Sequence, residues 1–358
     1  MVTEAQVGRP FVSIGVTTYN RHNLLRRTLE SILAQTFADF EVIVGNDYTA
    51  EVLTSEMLGL SDPRIRLVNH PRNLREVGNM NALLAMATGR YFTWLFDDDL
   101  YEPDFLQTAH DCLVKAGFPQ AFFSSFRMLL PGETFQPRRI APGEMIELTG
   151  REFLRRYSPW HPQVVSTCGL IDTAALRNVV GGVEELCASA IGVYCEYLFL
   201  VRCALLEKIV YLDAPFVLFC MHAESWSENP SELAKYLEAG KELVKRSGEV
   251  LRHPALVADF KVNLLMICKQ HLITVAQRIA RVEVVQREFG LSALWRSLAQ
   301  YRQETGQIRQ AFRDQGEGEG FRARLTFAKI DFLGYYSIVM TLASGFYRKN
   351  EACCSEKS

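Results

Sequence analysis

Most of the chain lacks the features that assign a protein to a class at a glance. No run of 18 uncharged apolar residues occurs before the tail, so no membrane-spanning helix is expected there. The N-terminus, MVTEAQVGRP, lacks a charged-then-apolar leader, which points to the cytoplasm and away from secretion. None of the nine cysteines is spaced as CxxC, and an odd count argues against a disulfide framework. Cys112, Cys168, Cys203 and Cys220 sit in apolar surroundings and read as buried thiols of a reducing compartment. The net charge is only −2, so no basic excess argues for a nucleic-acid partner. No internal repeat is present. The chain does have length and a full apolar complement. With 358 residues, 48% of them hydrophobic and 22% charged, it suits one large globular domain plus an extension.

One stretch concentrates the chemistry, GRYFTWLFDDDLYEPD over Gly89–Asp104. Tyr91 to Phe96 is aromatic and β-branched and reads as a buried strand. It ends in Asp97, Asp98 and Asp99. Three carboxylates at the end of a buried strand need a counter-charge, and a divalent cation with oxygen ligands is the simplest. Otherwise they form an acidic cap for the helix that follows.

Strands are expected at Phe11–Val16, Phe40–Val44, Ile65–Val68 and Ala121–Leu129, and one or two within Ile209–Cys220. Helices are expected at 22–35, 51–60, 79–87, 104–116, 150–156 and 193–206. The alternation predicts an α/β fold with a mostly parallel central sheet. Ligands of such sheets gather at the carboxyl ends of strands, where Thr17–Arg21, Asp47 and Asp97–Asp99 all fall. From Pro230 the pattern changes to long helices over 231–250, 255–289, 291–314 and 321–347. A boundary near 228 therefore separates a domain over 1–228, with halves 10–104 and 105–228, from a helical C-terminal extension over 229–358.

VSIGVTTYNR, SILAQTFADFEVIVGND, DPRIRLVNHPRNL and ALLAMATGRYFTWLFDDDLYEPDFL together resemble the family 2 glycosyltransferases, and VVGGVEE and CEYLFLVR echo later segments of that family. The resemblance covers roughly residues 10–226, and it implies an inverting enzyme of the GT-A fold, Rossmann-like in its nucleotide half. It implies a nucleoside-diphosphate sugar donor, by preference a UDP-sugar, and a glycan, lipid-linked or other hydroxyl acceptor. The setting it suggests is surface polysaccharide biosynthesis, with Mn²⁺ or Mg²⁺ as cofactor.

Carried onto this chain, the family pattern puts Thr17, Tyr19, Arg21, Asp47 and Arg75 on the nucleotide, with the tyrosine against the base. Measured from Pro103, the first aspartate of the family's D-x-D falls on Phe96. Asp97 then serves the ribose and Asp98 the metal, with Asp99 a second, water-mediated ligand and His222, of His222-x-x-Ser225, near the metal or diphosphate. The family's catalytic base lies six residues before an arginine. Here that arginine is Arg202 and the position holds Glu196, preceded by Cys195, a departure at both places. Glu184 and Glu185 are the alternative carboxylates, with Glu185 and Trp160, beside His161, assigned to the acceptor.

A nucleotidyltransferase would need a glycine-rich basic loop after the first strand, and TTYNRHN is not one. A non-catalytic nucleotide-sugar-binding or scaffold protein stays open because of the Cys195-Glu196 pair. Two readings stay open for 321–347, which interleaves Arg322, Arg324 and Lys329 with apolar residues. One is an interfacial helix on the inner face of the membrane. The other is a helix packed on the catalytic domain or on a second subunit of a homo-oligomer.

Overall fold

Three apolar segments near the N-terminus, Val12–Thr18, Phe40–Asn46 and Tyr91–Phe96, are almost wholly buried, and the fold is built around them. The computed structural model describes residues 8–141, 143–156, 164–222, 229–286, 288, 290–316 and 320–355. β1 (Val12–Thr18) is buried along its whole length. α1 (His22–Leu33) follows and buries Leu25, Leu29 and Ile32 along one face. β2 (Phe40–Asn46), α2 (Ser55–Leu58), β3 (Ile65–Asn69), α3 (Arg75–Met86) and β4 (Tyr91–Phe96) complete this half. β1 runs parallel to both β2 and β4, and β2 runs parallel to β3.

α2 is a single turn where a helix over 51–60 is expected. Thr54 caps it by accepting from Met57 N, and Gly59, in the left-handed region, closes it. α3 begins four residues before the expected 79, at Arg75.

The remaining elements of this part are β5 (Leu100–Tyr101), α4 (Phe105–Lys115), β6 (Ala121–Leu129), β7 (Met145–Leu148), α5 (Gly150–Arg156), β8 (Gly169–Asp172), α6 (Thr173–Ala175), α7 (Cys195–Cys203) and β9 (Ile209–Cys220). The sheet order is β3-β2-β1-β4-β8-β6-β9-β5, with β7 also on β9. β8 lies antiparallel to both β4 and β6, so the sheet is parallel from β3 to β4 and mixed beyond. Alternation of elements sets strand direction only where each connection is a crossover between neighbours. β8 instead enters between two strands that both precede it. β9 is one strand of 12 residues despite Pro215, which faces Ser125 where the β6–β9 register shifts. An irregular register tolerates a missing N–H.

The chain forms two compact units, Met1–Glu185 with Cys195–Ala223, and Leu186–Tyr194 with Glu224–Ser358. The second is helical, with α8 (Pro230–Leu251), α9 (Phe260–Val285), α10 (Leu291–Asp314) and α11 (Phe321–Ser355). α9 packs against the other three. Inside it, His271 lies between Tyr194 Oη at 2.9 Å and Glu304 Oε1 at 2.8 Å. Gly240 makes room for this trio, because a Cβ there would stand 2.2 Å from the imidazole.

Candidate active site

Two of the three aspartates, Asp97 and Asp98, share Arg21, and the third, Asp99, faces elsewhere. Parallel pairing aligns Thr17 with Gly45 on one side and Phe96 on the other, so the loops after β1, β2 and β4 leave one edge of the sheet together. There Thr18 Oγ1 donates to Asp97 Oδ2 at 2.7 Å. Arg21 Nη1 lies 3.3 Å from Asp97 Oδ1 and 3.0 Å from Asp98 Oδ2. His222 Nε2 reaches the same Asp98 oxygen at 3.0 Å. Asp99 is not brought to that group. Its Oδ1 accepts from Cys220 N of β9 at 3.1 Å, and Thr28 Oγ1 donates to its backbone carbonyl.

Much of the required counter-charge is thus built into the fold as Arg21. It does not suffice. Burial and the neighbouring Asp98 push the Asp97 carboxyl up to about 6, against the pull of Arg21 and Thr18. Asp99 is raised well above the usual carboxylate range, first by burial and then by Asp98, with Glu196 and Asp97 adding to the push. The cations and donors of this edge thus do not offset the burial and crowding of its carboxyls.

The Asp98 carboxylate and His222 imidazole make a two-donor set, half-buried on this edge. Among the described residues no three His, Cys, Asp or Glu side chains gather to hold an ion by themselves. Two protein donors suit Mg²⁺ or Mn²⁺, which fill the rest of their coordination with water and phosphate oxygens. The residues present fit such an ion.

The loops after β1 and β2 form the neighbouring part. Tyr19 is exposed, with its ring edge-on to Tyr48 at 5.2 Å between centroids. Asp47 is buried, and its Oδ1 accepts from Leu74 N at 2.6 Å. Asn73 Oδ1 accepts from Arg75 N at 2.8 Å. These two bonds fix the turn in which Arg75 holds a left-handed φ of 60°, a conformation costly for a residue with a side chain. The Arg75 guanidinium then pairs with Glu185, Nη1 to Oε1 at 2.7 Å.

Glu196 sits in the first turn of α7 and keeps part of its surface exposed. Its Oε1 accepts from Ser166 N at 3.0 Å and from Ser166 Oγ at 2.6 Å. Burial raises its carboxyl above the ordinary value, and the two Ser166 bonds oppose that rise. Glu196 is among the charges that raise the Asp99 carboxyl, so the two carboxyls lie within electrostatic reach of each other. Arg202 pairs closely with Glu184. Asn81 of α3 holds the preceding loop by bonds to Val183 N and O. Gly182, with φ of 70°, permits that approach, since a Cβ there would stand 2.5 Å from Asn81 Oδ1.

Trp160, His161 and Ser225 lie outside the described residues. Two contributors had no signal in the sequence. Thr18 is one place beyond the expected Thr17, and Ser166 belongs to no recognisable motif.

With this geometry in view, likeness to known proteins becomes informative. Residues 13–128 match the model of Glycosyl transferase family 2. That part of the chain belongs to the family. The family 2 region is 36% identical over 108 residues to the succinoglycan biosynthesis protein ExoO of Rhizobium meliloti, covering 30% of this chain and 31% of that protein. It is 32% identical over 97 residues to the putative colanic acid biosynthesis glycosyl transferase WcaA of Escherichia coli, covering 26% of this chain and 35% of WcaA. A longer match, 24% identical over 143 residues, covers 39% of this chain and 56% of WfgD of Escherichia coli. WfgD is named as a UDP-Glc:alpha-D-GlcNAc-diphosphoundecaprenol beta-1,3-glucosyltransferase. Each match thus spans less than two thirds of the relative's length. Among solved structures, S. aureus TarS 1–349 in complex with UDP-GlcNAc superposes with a TM-score of 0.50 at 14% identity. That match covers 85% of this chain and 91% of TarS 1–349, and it shows a shared fold of the GT-A type.

Proposed function

We propose that this chain is an inverting glycosyltransferase that moves a sugar from a nucleoside-diphosphate sugar, by preference a UDP-sugar, to a hydroxyl of a glycan or lipid-linked acceptor. One observation carries the reading. A carboxylate pair crossed by Arg21 and His222 stands at the sheet edge, and another carboxyl, Glu196, is held by Ser166 within electrostatic reach of Asp99, the next residue after that pair. The names of ExoO, WcaA and WfgD support a place in polysaccharide assembly, and that of WfgD supports a UDP-sugar donor.

In this reading the base stacks on Tyr19 beside Asp47, and Asp97 takes the ribose. Asp98 and His222 would hold the divalent ion, which when bound neutralises charge on the departing diphosphate. Asp99 supports this edge through β9. Glu196 Oε2 takes the proton from the acceptor hydroxyl as that oxygen attacks the anomeric carbon. The carbon–oxygen bond to the diphosphate breaks, and its electron pair leaves with the nucleotide. Ser166 fixes the other Glu196 oxygen, so the carboxylate keeps one aim. Arg75 and Glu185 restrain each other beside the acceptor side.

The test follows nucleoside-diphosphate release from a panel of nucleotide sugars in Mn²⁺, with the product anomer read by NMR. Turnover with inversion is expected, and Glu196→Gln lowers it by about 10²- to 10⁴-fold at unchanged UDP affinity. Full activity in that variant would remove Glu196 from the role of base. UDP binding without turnover of any donor would favour a binding or scaffold protein.

A further inference from the structure

The last helix is apolar on two opposite faces, and only one of them is covered. Ala323, Phe327, Ile330, Gly334, Ile338 and Leu342 of α11 are buried within the helical unit. A surface helix should then be polar on its other side. Here that side is a second apolar stripe at helical spacing, with Leu325, Phe332, Tyr336, Val339 and Met340 all exposed. Phe332 keeps 69% of its surface open. From Leu325 to Met340 the stripe is about 22 Å long at 1.5 Å per residue. α10 runs antiparallel to α11, because Phe312 meets Phe327, Arg309 meets Asp331 and Tyr301 meets Tyr335. Trp295, 69% open and six residues before Tyr301, therefore lies level with the end of the stripe.

Charge selects the occupant. Residues 321–350 hold Arg322, Arg324, Lys329, Arg348 and Lys349 against a single acid, Asp331. Asp331 is paired with Arg309 at 2.6 Å. Lys329 lies within the apolar stripe by helical spacing, and Arg322 and Arg324 flank it, all three exposed. Long cationic side chains can hold their charge at the headgroups while apolar neighbours sink between them. Two copies of this chain meeting through the stripe would bring their cations together. Among the described residues, no helix is long and apolar enough to cross a membrane.

We infer that α11, with Trp295 of α10, docks flat on an anionic lipid surface, its second stripe entering the boundary between headgroups and acyl chains. The placement rests on the helical unit alone and stands or falls independently of the transfer reaction.

Flotation of the full chain with phosphatidylcholine vesicles, with and without phosphatidylglycerol, tests it. Binding to the anionic vesicles is expected, at least tenfold stronger than to the neutral ones and weakened by 0.5 M salt. The double variant Phe332→Glu/Tyr336→Glu should lose at least tenfold in vesicle binding with its melting temperature unchanged, since both side chains are already in solvent. Reversing Arg322, Arg324 and Lys329 to Glu should abolish the preference for anionic lipid. Absence of binding to either vesicle overturns the inference. So does light scattering that reports a dimer which Phe332→Glu/Tyr336→Glu splits, because a second copy then covers the stripe.

Discussion

Both units bury ionisable side chains, but in different company. In the helical unit His271 and Glu304 are shut off from solvent, and the imidazole has a partner on each nitrogen. In the sheet unit Asp97, Asp98 and Asp99 share Arg21, His222 and one backbone N–H, and Asp97 and Asp99 are held above their ordinary carboxyl range. The first cluster is satisfied by hydrogen bonds within its own unit. The second sets three carboxyls against one arginine and one histidine at the carboxyl edge of parallel strands. Burial alone therefore does not mark a site. Burial with a charge imbalance, at an edge that a ligand can reach, does.

Substitutions can break that contrast, and the largest effect belongs to the sheet unit. Glu196→Gln should cost transfer about 10²- to 10⁴-fold without changing the melting temperature beyond a degree or two. A loss of fold equal to the loss of activity would make Glu196 structural. Glu304→Ala should do the reverse. Leaving His271 Nε2 without its partner costs about 1–3 kcal/mol of stability in denaturant melts, with turnover per folded molecule unchanged.

A smaller effect tests the frame of the sheet. Glu41 Oε1 accepts from Ser13 Oγ at 2.5 Å, Thr88 N at 2.8 Å and Thr88 Oγ1 at 2.7 Å. Burial pushes the Glu41 carboxyl up, but these bonds win and hold it below its ordinary 4.5. A depressed carboxyl stabilises the fold above its unfolded value and loses that contribution as pH falls through the folded one. Stability should therefore drop below pH 4.5, and Glu41→Gln, at a cost of about 1 kcal/mol, should flatten that limb. The smallest effect is on the acid limb of the rate. If Glu196 is the proposed base, its protonation removes the base, and activity should fall as pH drops through its raised value. Ser166→Ala deletes one bond to the carboxylate and should move that limb to higher pH.

The N-terminal half was legible because its signals are local. Apolar runs give β1, β2 and β4, and the polar residues that follow each run, Arg21, Asp47 and Asp97, fall at strand ends by necessity. Legibility declined where long-range pairing decides. The direction of β8 depends on its entry between β4 and β6, and no periodicity records that. The early start of α3 depends on Asp47 capping Leu74 N from 27 residues away. Ser166 gains its meaning only from Glu196, 30 residues on. In the helical unit the 3.6-residue pattern gives the helices. It cannot say that His271 and Glu304 face each other, since that follows from packing.

In the proposed reaction the edge at Asp98 binds a nucleoside diphosphate together with a divalent ion. Calorimetric titration of UDP, with and without Mn²⁺, into the wild type and Asp98→Asn tests it most directly. Mn²⁺ should strengthen UDP binding at least tenfold in the wild type and leave it unchanged in Asp98→Asn. Equal UDP affinity with and without Mn²⁺ in the wild type, or a Mn²⁺ effect undiminished in the variant, would contradict it.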